Sequence, residues 1–373
     1  MTRPICEKRW AMFRSFTIKN FRCFRDLSIE PLERVNLIAG MNNVGKTALL
    51  EAMFLHIGPN NPELPMRINV FRGIQRFDAE EMWGWLFFDK HVDEVIEVIS
   101  QNEAGANRSL RIQMVESEGF RPAPSRDNDK VTESPAGFLT GSLSGSLTTA
   151  TGLHELMLKY QDETGPASTS RAFMAADEIR FERAKLKPFP LGVFLNTRAR
   201  FPHEDAQRFS KLEAVGRQDE VLTTMQLLEP RLRRLAVLDT GGGPMIYGDV
   251  GAGQLVPLPL MGEGLVRLLS IVLAIANAPR GTILVDEIEN GLHHSVMVKV
   301  WEAIANIARR SGAQVFATTH SWECICAAHQ AFEASEMYDF RLHRLDRIKD
   351  DIRVVTYDQK KLTTAIATGL EVR

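Results

Sequence analysis

One stretch, residues 38–50, constrains the fold of this chain more than any other. It reads IAGMNNVGKTALL, in which Gly40, Gly45, Lys46 and Thr47 have the spacing G-x-x-x-x-G-K-[ST]. A β-branched, apolar run precedes it and a helix-forming run follows it, which predicts a strand, a loop and a helix. In that context the glycines let successive backbone N–H groups and the helix N-terminus point at one anion, which suits a nucleotide phosphate.

Two side chains of this loop have the chemistry to bind a nucleotide together with its metal. Lys46 would reach the β- and γ-phosphates, and the Thr47 hydroxyl would hold Mg²⁺. The competing interpretation is a Gly/Asn turn before a helix that happens to carry a lysine, and the flanking strand and helix patterns disfavour it. The residues predicted to contact ATP here are Gly40, Asn42, Asn43, Val44, Gly45, Lys46, Thr47 and Ala48.

Composition narrows the class of protein. The 373 residues, 44% hydrophobic and 25% charged, are typical of a globular chain with two domains, or one domain with an insertion. A net charge of −2 does not indicate a nucleic-acid binder, although DNA stays possible through a local basic face. The four cysteines include no C-x-x-C pair and no apolar run approaches a membrane span, so we expect reduced thiols in a cytoplasmic protein.

A second pattern lies upstream of the phosphate-binding loop. Residues 16–24 read FTIKNFRCF, which has the form F-x-I-x-N-F-R-x-F and the alternation of a strand. With the loop that follows, it resembles the ABC-type P-loop ATPases of the SMC, RecF and OLD-like group in the AAA family. The resemblance implies that Arg22 helps to hold the nucleotide; a solvated arginine at a strand end is the competing interpretation. It also implies a glutamine that senses the γ-phosphate or metal, for which Gln75 is the candidate.

The same resemblance assigns a role to the start of a later apolar helix. Residues 260–270 read LMGEGLVRLLS, at the place of the L-S-G-G-[QE] signature of ABC-type ATPases. By this match, Gly262 and Gly264 would let the helix N-terminus cap the γ-phosphate bound by an opposing subunit. Met261 and Glu263 depart from the signature, which removes its serine hydroxyl but leaves backbone N–H donation. A glycine-rich helix cap without a nucleotide role is the competing interpretation.

Two further strands are predicted to end in polar side chains of the site. Residues 281–287 read GTILVDE, a buried strand expected beside the strand of the phosphate-binding loop. Asp286 would fix Mg²⁺ through its water shell, and Glu287 would accept a proton from the attacking water. Residues 313–321 read AQVFATTHS, and the resemblance implies that His320 hydrogen-bonds the γ-phosphate.

These patterns predict an α/β fold, an ABC-type P-loop ATPase head with an N-terminal antiparallel sub-sheet and an inserted helical lobe. The expected divisions, from the chain start, are an extension, the first half of the ATPase with the phosphate-binding loop, an insertion with the helical lobe, the second half of the ATPase, and a C-terminal helix. Their boundaries are 1–12, 13–115, 116–240, 241–357 and 358–373.

The resemblance also implies a function. Two heads would close around ATP as a homodimer or higher homo-oligomer, and hydrolysis would separate them. OLD nucleases carry a TOPRIM domain after the histidine strand, but the sequence after His320 contains no D-x-D, so we expect no nuclease here. The leading hypothesis is an ATPase that regulates a separately encoded effector, such as a TOPRIM-type nuclease in anti-phage defence. The alternative is a stand-alone RecF-like DNA-repair ATPase.

Overall fold

The computed structural model describes residues 12–73, 79–116, 154–163, 165–175, 178–185, 189–197 and 202–373. The strands in these ranges form three sheets, and the largest two enclose the N-terminal helix that follows the phosphate-binding loop. The α/β class and the N-terminal antiparallel sheet, both predicted above, are confirmed. The Gln75 prediction lies outside the described residues.

The central sheet has six strands in the order β16-β15-β3-β14-β13-β9, all parallel except β16. These strands are Val35–Gly40 (β3), Gly192–Leu195 (β9), Thr282–Val285 (β13), Gln314–Thr318 (β14), Phe340–Ile348 (β15) and Asp351–Tyr357 (β16). β3, β13 and β14 are buried on both faces, as their unbroken apolar runs require. Carboxyl ends of parallel neighbours meet at one edge, and the candidate site lies there.

One detail of the predicted strand order is wrong. The acidic strand β13 does not lie beside β3, because β14 pairs with both of them and separates the two. Local sequence patterns identify strands but carry no information on which strands pair across long separations. The consequence is favourable to the site, since the strand that leads to His320 lies between the phosphate-binding loop and the acids.

The second sheet is antiparallel, with seven strands in the order β2-β1-β4-β5-β6-β7-β8. They are Phe13–Phe21 (β1), Phe24–Ile29 (β2), Ile96–Asn102 (β4), Asn107–Glu116 (β5), His154–Asp162 (β6), Ser168–Ala175 (β7) and Glu178–Glu182 (β8). Alternate residues of β1 and β4 are buried, so one face of this sheet covers the core and the other meets solvent.

Helices cover both faces of the central sheet. The helix after the phosphate-binding loop, α1, packs between the two sheets, whereas α6, α7 and α8 bury the opposite face. The helices are Lys46–Ile57 (α1), Leu64–Phe71 (α2), Ala79–Gly84 (α3), Pro202–Glu213 (α4), Gln218–Met225 (α5), Glu263–Ala276 (α6), Met297–Ser311 (α7), Trp322–Glu333 (α8) and Gln359–Ala367 (α9). Arg234–Asp239 (β10), Pro244–Asp249 (β11) and Val256–Pro257 (β12) form the third, small sheet.

The predicted insertion spans residues 116–240, and its described residues belong to several parts of the fold. β6, β7 and β8 extend the antiparallel sheet by pairing successively onto β5, and β9 forms an edge of the central sheet. Among the residues that the structure describes, α4 and α5 correspond to the predicted helical lobe, and they pack on α6. The cause is again long-range pairing, which the mixed local pattern of these residues does not reveal.

None of the helices in the described part of the chain is both long enough and apolar enough to span a bilayer.

Phe16 joins the two large sheets, which makes it a sensitive test of the packing. Its ring lies 5.5 Å from the ring of His56 on α1 and 6.2 Å from that of Phe316 on β14, and it is fully buried. We expect Phe16→Ala to lower the free energy of unfolding by about 3–5 kcal/mol, measured by urea denaturation. Lys19→Ala, on the solvent face of the same strand, should change it by less than about 0.5 kcal/mol. Equal effects of the two substitutions would contradict this packing.

Candidate active site

The phosphate-binding loop, residues 40–47, has the backbone that its glycines permit. Gly40 has φ 144° and Gly45 has φ 94°, values that L side chains rarely adopt. A Cβ on Gly45 would also lie 2.6 Å from the Cys23 sulfur and 2.7 Å from the Phe24 ring, so a side chain cannot fit there. The strand, loop and helix predicted from the sequence are confirmed in this order by β3, the loop and α1.

Lys46 begins α1 and bends back over the loop. Its Nζ donates to the carbonyl oxygens of Gly40 at 2.7 Å and Met41 at 2.9 Å. Burial lowers the pKa of Lys46, while the nearby carboxylates of Asp286 and Glu287 oppose that shift. The ammonium is therefore a partly desolvated cation at the mouth of the loop, where attraction to an anion is stronger than in water.

Asp286 is the residue at which three segments of the chain meet. It follows β13 and is 5% exposed, and both its carboxylate oxygens lie 3.1 Å from the Thr47 hydroxyl of α1. The hydroxyl of Thr318, at the end of β14, donates to Asp286 Oδ1 at 2.7 Å. The structure thus brings together the two residues predicted to hold Mg²⁺, and it adds Thr318, which sequence patterns did not single out.

Glu287 leaves the strand in a left-handed conformation, with φ 49°. Its backbone N–H donates to the Thr318 hydroxyl at 2.8 Å. The buried guanidinium of Arg267, from α6, donates to the carbonyl oxygen of Asp286 and lies 3.4 Å from that of Glu287. Thr318 and Arg267 therefore fix the backbone from which the Glu287 side chain extends. In the sequence, Arg267 is a charged residue within an otherwise apolar helix. That pattern is a signal of a buried charge, but it was recognised only once the structure was known.

His320 lies at the end of β14 and is held by a second acid, Glu289. The imidazole Nδ1 is 3.3 Å from Glu289 Oε1, and the backbone N–H of His320 donates to the same oxygen at 3.0 Å. The side chain of His320 is 56% exposed, so it faces the open edge of the sheet. The prediction that His320 contacts the γ-phosphate stays a prediction.

The two glycines of the signature-like segment lie against the turn that follows the acids. Gly262, with φ 126°, is the N-cap of α6. A Cβ on Gly264 would clash with the carbonyl oxygen of Gly291, so the helix and the turn approach backbone to backbone. The structure therefore connects this helix start to the acid turn of the same chain. The predicted contact of Gly262 and Gly264 with a nucleotide on an opposing subunit stays a prediction.

Arg22 is engaged in a buried ion-pair cluster beside the loop. Its Nε lies 2.7 Å from Glu51 Oε2 on α1, and its NH2 donates to Asn69 Oδ1 at 3.0 Å. Glu51 is fully buried and also accepts a two-point contact from Arg72, at 2.7 and 3.0 Å. Burial lowers the pKa of Arg22, whereas Glu51 opposes that shift. The interpretation of Arg22 as a solvated strand-end residue is wrong, and its predicted contact with ATP stays open.

Two models of protein families match the chain. One, described as "AAA domain", matches residues 15–162, and the other, described as "AAA domain, putative AbiEii toxin, Type IV TA system", matches residues 152–323. The phosphate-binding loop lies in the first range, and Asp286, Glu287 and His320 lie in the second. The chain is a P-loop ATPase.

One curated protein is similar to this ATPase over most of the length of both chains. A Helicobacter pylori protein described as "ATP/GTP phosphatase" is 26% identical over 335 residues, which are 84% of this chain and 86% of that protein. A Methanocaldococcus jannaschii protein described as "Uncharacterized protein MJECL10" is 31% identical over 109 residues, 27% of this chain and 47% of that protein.

Solved structures similar to this ATPase include heads of SMC proteins. An SMC head bound to the C-terminal winged-helix domain of ScpA has a TM-score of 0.49 at 12% identity, covering 94% of this chain and 99% of that one. The SMC head domain of Thermotoga maritima has a TM-score of 0.40 at 14% identity, covering 93% and 99%.

Thr318 offers a direct test of how this site is built. Thr318→Val removes the hydroxyl that donates to Asp286 and accepts from the Glu287 N–H, while it keeps the side-chain shape. We expect kcat for ATP hydrolysis to fall about 10- to 100-fold, as for loss of partners that orient active-site groups. Steady-state phosphate release measures it. Thr364→Val, which removes an exposed hydroxyl bonded to the Lys360 carbonyl, is the matched control, and equal rates of the two variants would contradict this assignment.

Proposed function

We propose that this ATPase binds ATP·Mg²⁺ between two copies of the chain, hydrolyses it with Glu287 as general base, and uses the cycle to regulate a separately encoded effector. The observation that carries the proposal is the meeting of Thr47, Asp286 and Thr318 at one strand edge, directly beside the phosphate-binding loop. The remaining steps concern the metal, the proton transfer, the second copy and the effector.

The donor set at Asp286 suits Mg²⁺. The hydroxyl of Thr47 and the carboxylate of Asp286 are hard oxygen ligands, and they lie 3.1 Å apart on rigid elements, α1 and the end of β13. When bound there, the ion would neutralise charge on the β- and γ-phosphates. Thr47 and Asp286 would hold it, and Thr318 would keep the Asp286 carboxylate oriented.

Three side chains would act on the substrate. Lys46, which bridges two carbonyl oxygens of its own loop, would donate to the β- and γ-phosphates. Glu287 would accept the proton of the water that attacks the γ-phosphate. His320 would donate a hydrogen bond to the γ-phosphate from its exposed ring. Together these groups position the substrate and stabilise charge, which is the larger part of catalysis in phosphoryl transfer.

Exposed apolar side chains support a second copy facing the nucleotide. Met41, within the phosphate-binding loop, and Leu260, just before α6, are each 77% exposed. Both flank segments proposed to contact ATP, one from each of the two subunits that would share it. Large apolar side chains at such positions favour burial against a partner. The N-terminus of α6, capped by Gly262, would then donate backbone N–H groups to the partner's γ-phosphate.

The effector is proposed from the resemblance to the OLD-like group together with the description of one matching family model, which names a toxin of a toxin–antitoxin system. A head that dimerises around ATP and separates after hydrolysis would switch the activity of such a partner. We favour a TOPRIM-type nuclease acting against foreign DNA as the effector. Binding of DNA by the ATPase itself is the alternative, and it predicts turnover that DNA stimulates with a steep salt dependence.

Two substitutions separate binding from hydrolysis. Lys46→Ala should abolish ATP binding, because it removes the cation of the loop. Glu287→Gln should keep binding, stop turnover and accumulate ATP-bound dimers, because it removes the proton acceptor. Equilibrium nucleotide binding and analytical ultracentrifugation with ATP and Mg²⁺ measure these effects. Lys299→Ala and Glu302→Gln, both exposed on α7, are the matched controls. Normal hydrolysis by both site variants would contradict the assignment.

The effector is tested by expressing the chain with its native neighbouring genes and weighing the complex by native mass spectrometry in ATP and Mg²⁺. We expect a stoichiometric second protein, retained by Glu287→Gln and released or rearranged in Lys46→Ala, since the cycle would set its affinity. A bare homodimer whose ATP turnover rises with added DNA would contradict the effector and favour the DNA-repair alternative.

A further inference from the structure

Glu289, on the turn after the acid pair, makes contacts that the roles above do not explain. Its Oε1 accepts from the Thr319 hydroxyl at 2.7 Å and from the His320 backbone N–H at 3.0 Å. The same oxygen lies 3.3 Å from the His320 Nδ1, and the Glu289 side chain is only 13% exposed. One carboxylate oxygen therefore contacts three groups at the end of β14.

The arrangement differs from that of an acid that only stabilises the fold. Glu51, the fully buried acid of α1, has both oxygens paired with guanidinium groups. Glu289, by contrast, has an Oε2 that is buried and receives no hydrogen bond from the described residues. An incompletely paired buried carboxylate is costly to keep. Its contacts are directed at one place, the segment that carries His320.

Glu289 also lies against the ring of His320. The imidazole is 56% exposed, and within the described residues its ring is contacted through Nδ1 by Glu289. Because Nδ1 faces that carboxylate at 3.3 Å, the opposite nitrogen, Nε2, lies on the far side of the ring from the turn. Without this contact the His320 ring would sample several rotamers. Part of the binding energy of the substrate would then be needed to order the ring.

The backbone that carries Glu289 is itself held on both sides. On one side, the Ile288 N–H donates to the Thr318 carbonyl at 3.0 Å, which ties the turn to β14. On the other side, Gly291 meets Gly264 of α6 backbone to backbone. The turn closes on itself through the Leu292 N–H, which donates to the Glu289 carbonyl at 2.9 Å. Glu289 is therefore placed by rigid neighbours, as a positioning group needs.

We infer that Glu289 is a positioning residue for hydrolysis: it fixes the His320 ring and the strand end behind it, so that Nε2 is held available to the γ-phosphate. This role rests on the proposed function, because it requires that His320 contacts ATP. It assigns to the turn after the acid pair an active part in organising the chain's own nucleotide site.

The test is a double-mutant cycle between Glu289 and His320. Glu289→Ala should lower kcat about 10- to 100-fold, as loss of an orienting partner does, with little change in KM for ATP. Glu289→Ala in a His320→Ala background should cause almost no further loss, because the two residues act as one unit. Glu289→Gln keeps an acceptor oxygen for Thr319 and for His320, and it should recover much of the rate.

A second measurement does not depend on turnover. In histidine-labelled protein, the ¹⁵N spectrum should show the His320 Nδ1 proton in a hydrogen bond, and Glu289→Ala should remove that signature while Glu302→Gln on α7 leaves it unchanged. Thermal unfolding of each variant tests whether the fold is retained.

The outcomes separate the role from the function on which it rests. Absence of ATP hydrolysis by the wild-type protein overturns the proposed function, and this role with it. Wild-type hydrolysis that His320→Ala slows but Glu289→Ala does not, or additive losses in the double variant, overturns the role of Glu289 alone. A double-mutant cycle that shows no coupling between Glu289 and His320, together with an unchanged Nδ1 signal in Glu289→Ala, likewise overturns it.

Discussion

The carboxylate of Asp286 is the point on which the candidate site depends. It joins the Thr47 hydroxyl of α1 to the Thr318 hydroxyl of β14, three segments that are distant in the sequence. Because β14 lies between β3 and β13, these bonds link the phosphate-binding loop to the acids across a strand. The same Thr318 hydroxyl accepts from the Glu287 backbone N–H, so one small network positions Asp286, the backbone of Glu287 and the helix that begins with Lys46.

Charge balance supports the proposal that this network holds a cation. Asp286, Glu287 and Glu289 surround the end of β13 and all act electrostatically on Lys46, raising a pKa that burial lowers. Three carboxylates beside a bound triphosphate would repel it, since Coulomb energies are larger in a partly desolvated site. One lysine does not compensate that repulsion. The proposed Mg²⁺ ligands, Thr47 and Asp286, lie between the loop and the acids, which is where added positive charge reduces it most.

The sequence predicts the local parts of this site and not the way they are joined. The strand, loop and helix around Lys46 follow from glycine spacing and periodicity, and the acid pair follows from an apolar run that ends in polar residues. The role expected for His320 came from the resemblance to ABC-type ATPases. The place of β14 and the pairing of residues 154–182 onto β5 depend on long-range register, which local patterns do not encode. The contacts of Glu289 and Thr318 join turns and strand ends that are distant in the sequence. Local sequence patterns do not show such contacts.

The close approach of Gly264 and Gly291 has a mechanical consequence. A side chain on Gly264 would clash with the carbonyl of Gly291, so the start of α6 cannot move toward the acid turn without displacing it. That turn carries Glu289, whose Oε1 accepts from the His320 backbone N–H and lies 3.3 Å from the ring Nδ1. If a second copy presents its nucleotide to Gly262 and Gly264, any movement of this helix start toward the turn would displace the turn as well. The start of α6 is proposed to face the partner, and His320 is proposed to contact the γ-phosphate of its own chain. The two would then be coupled through main-chain packing.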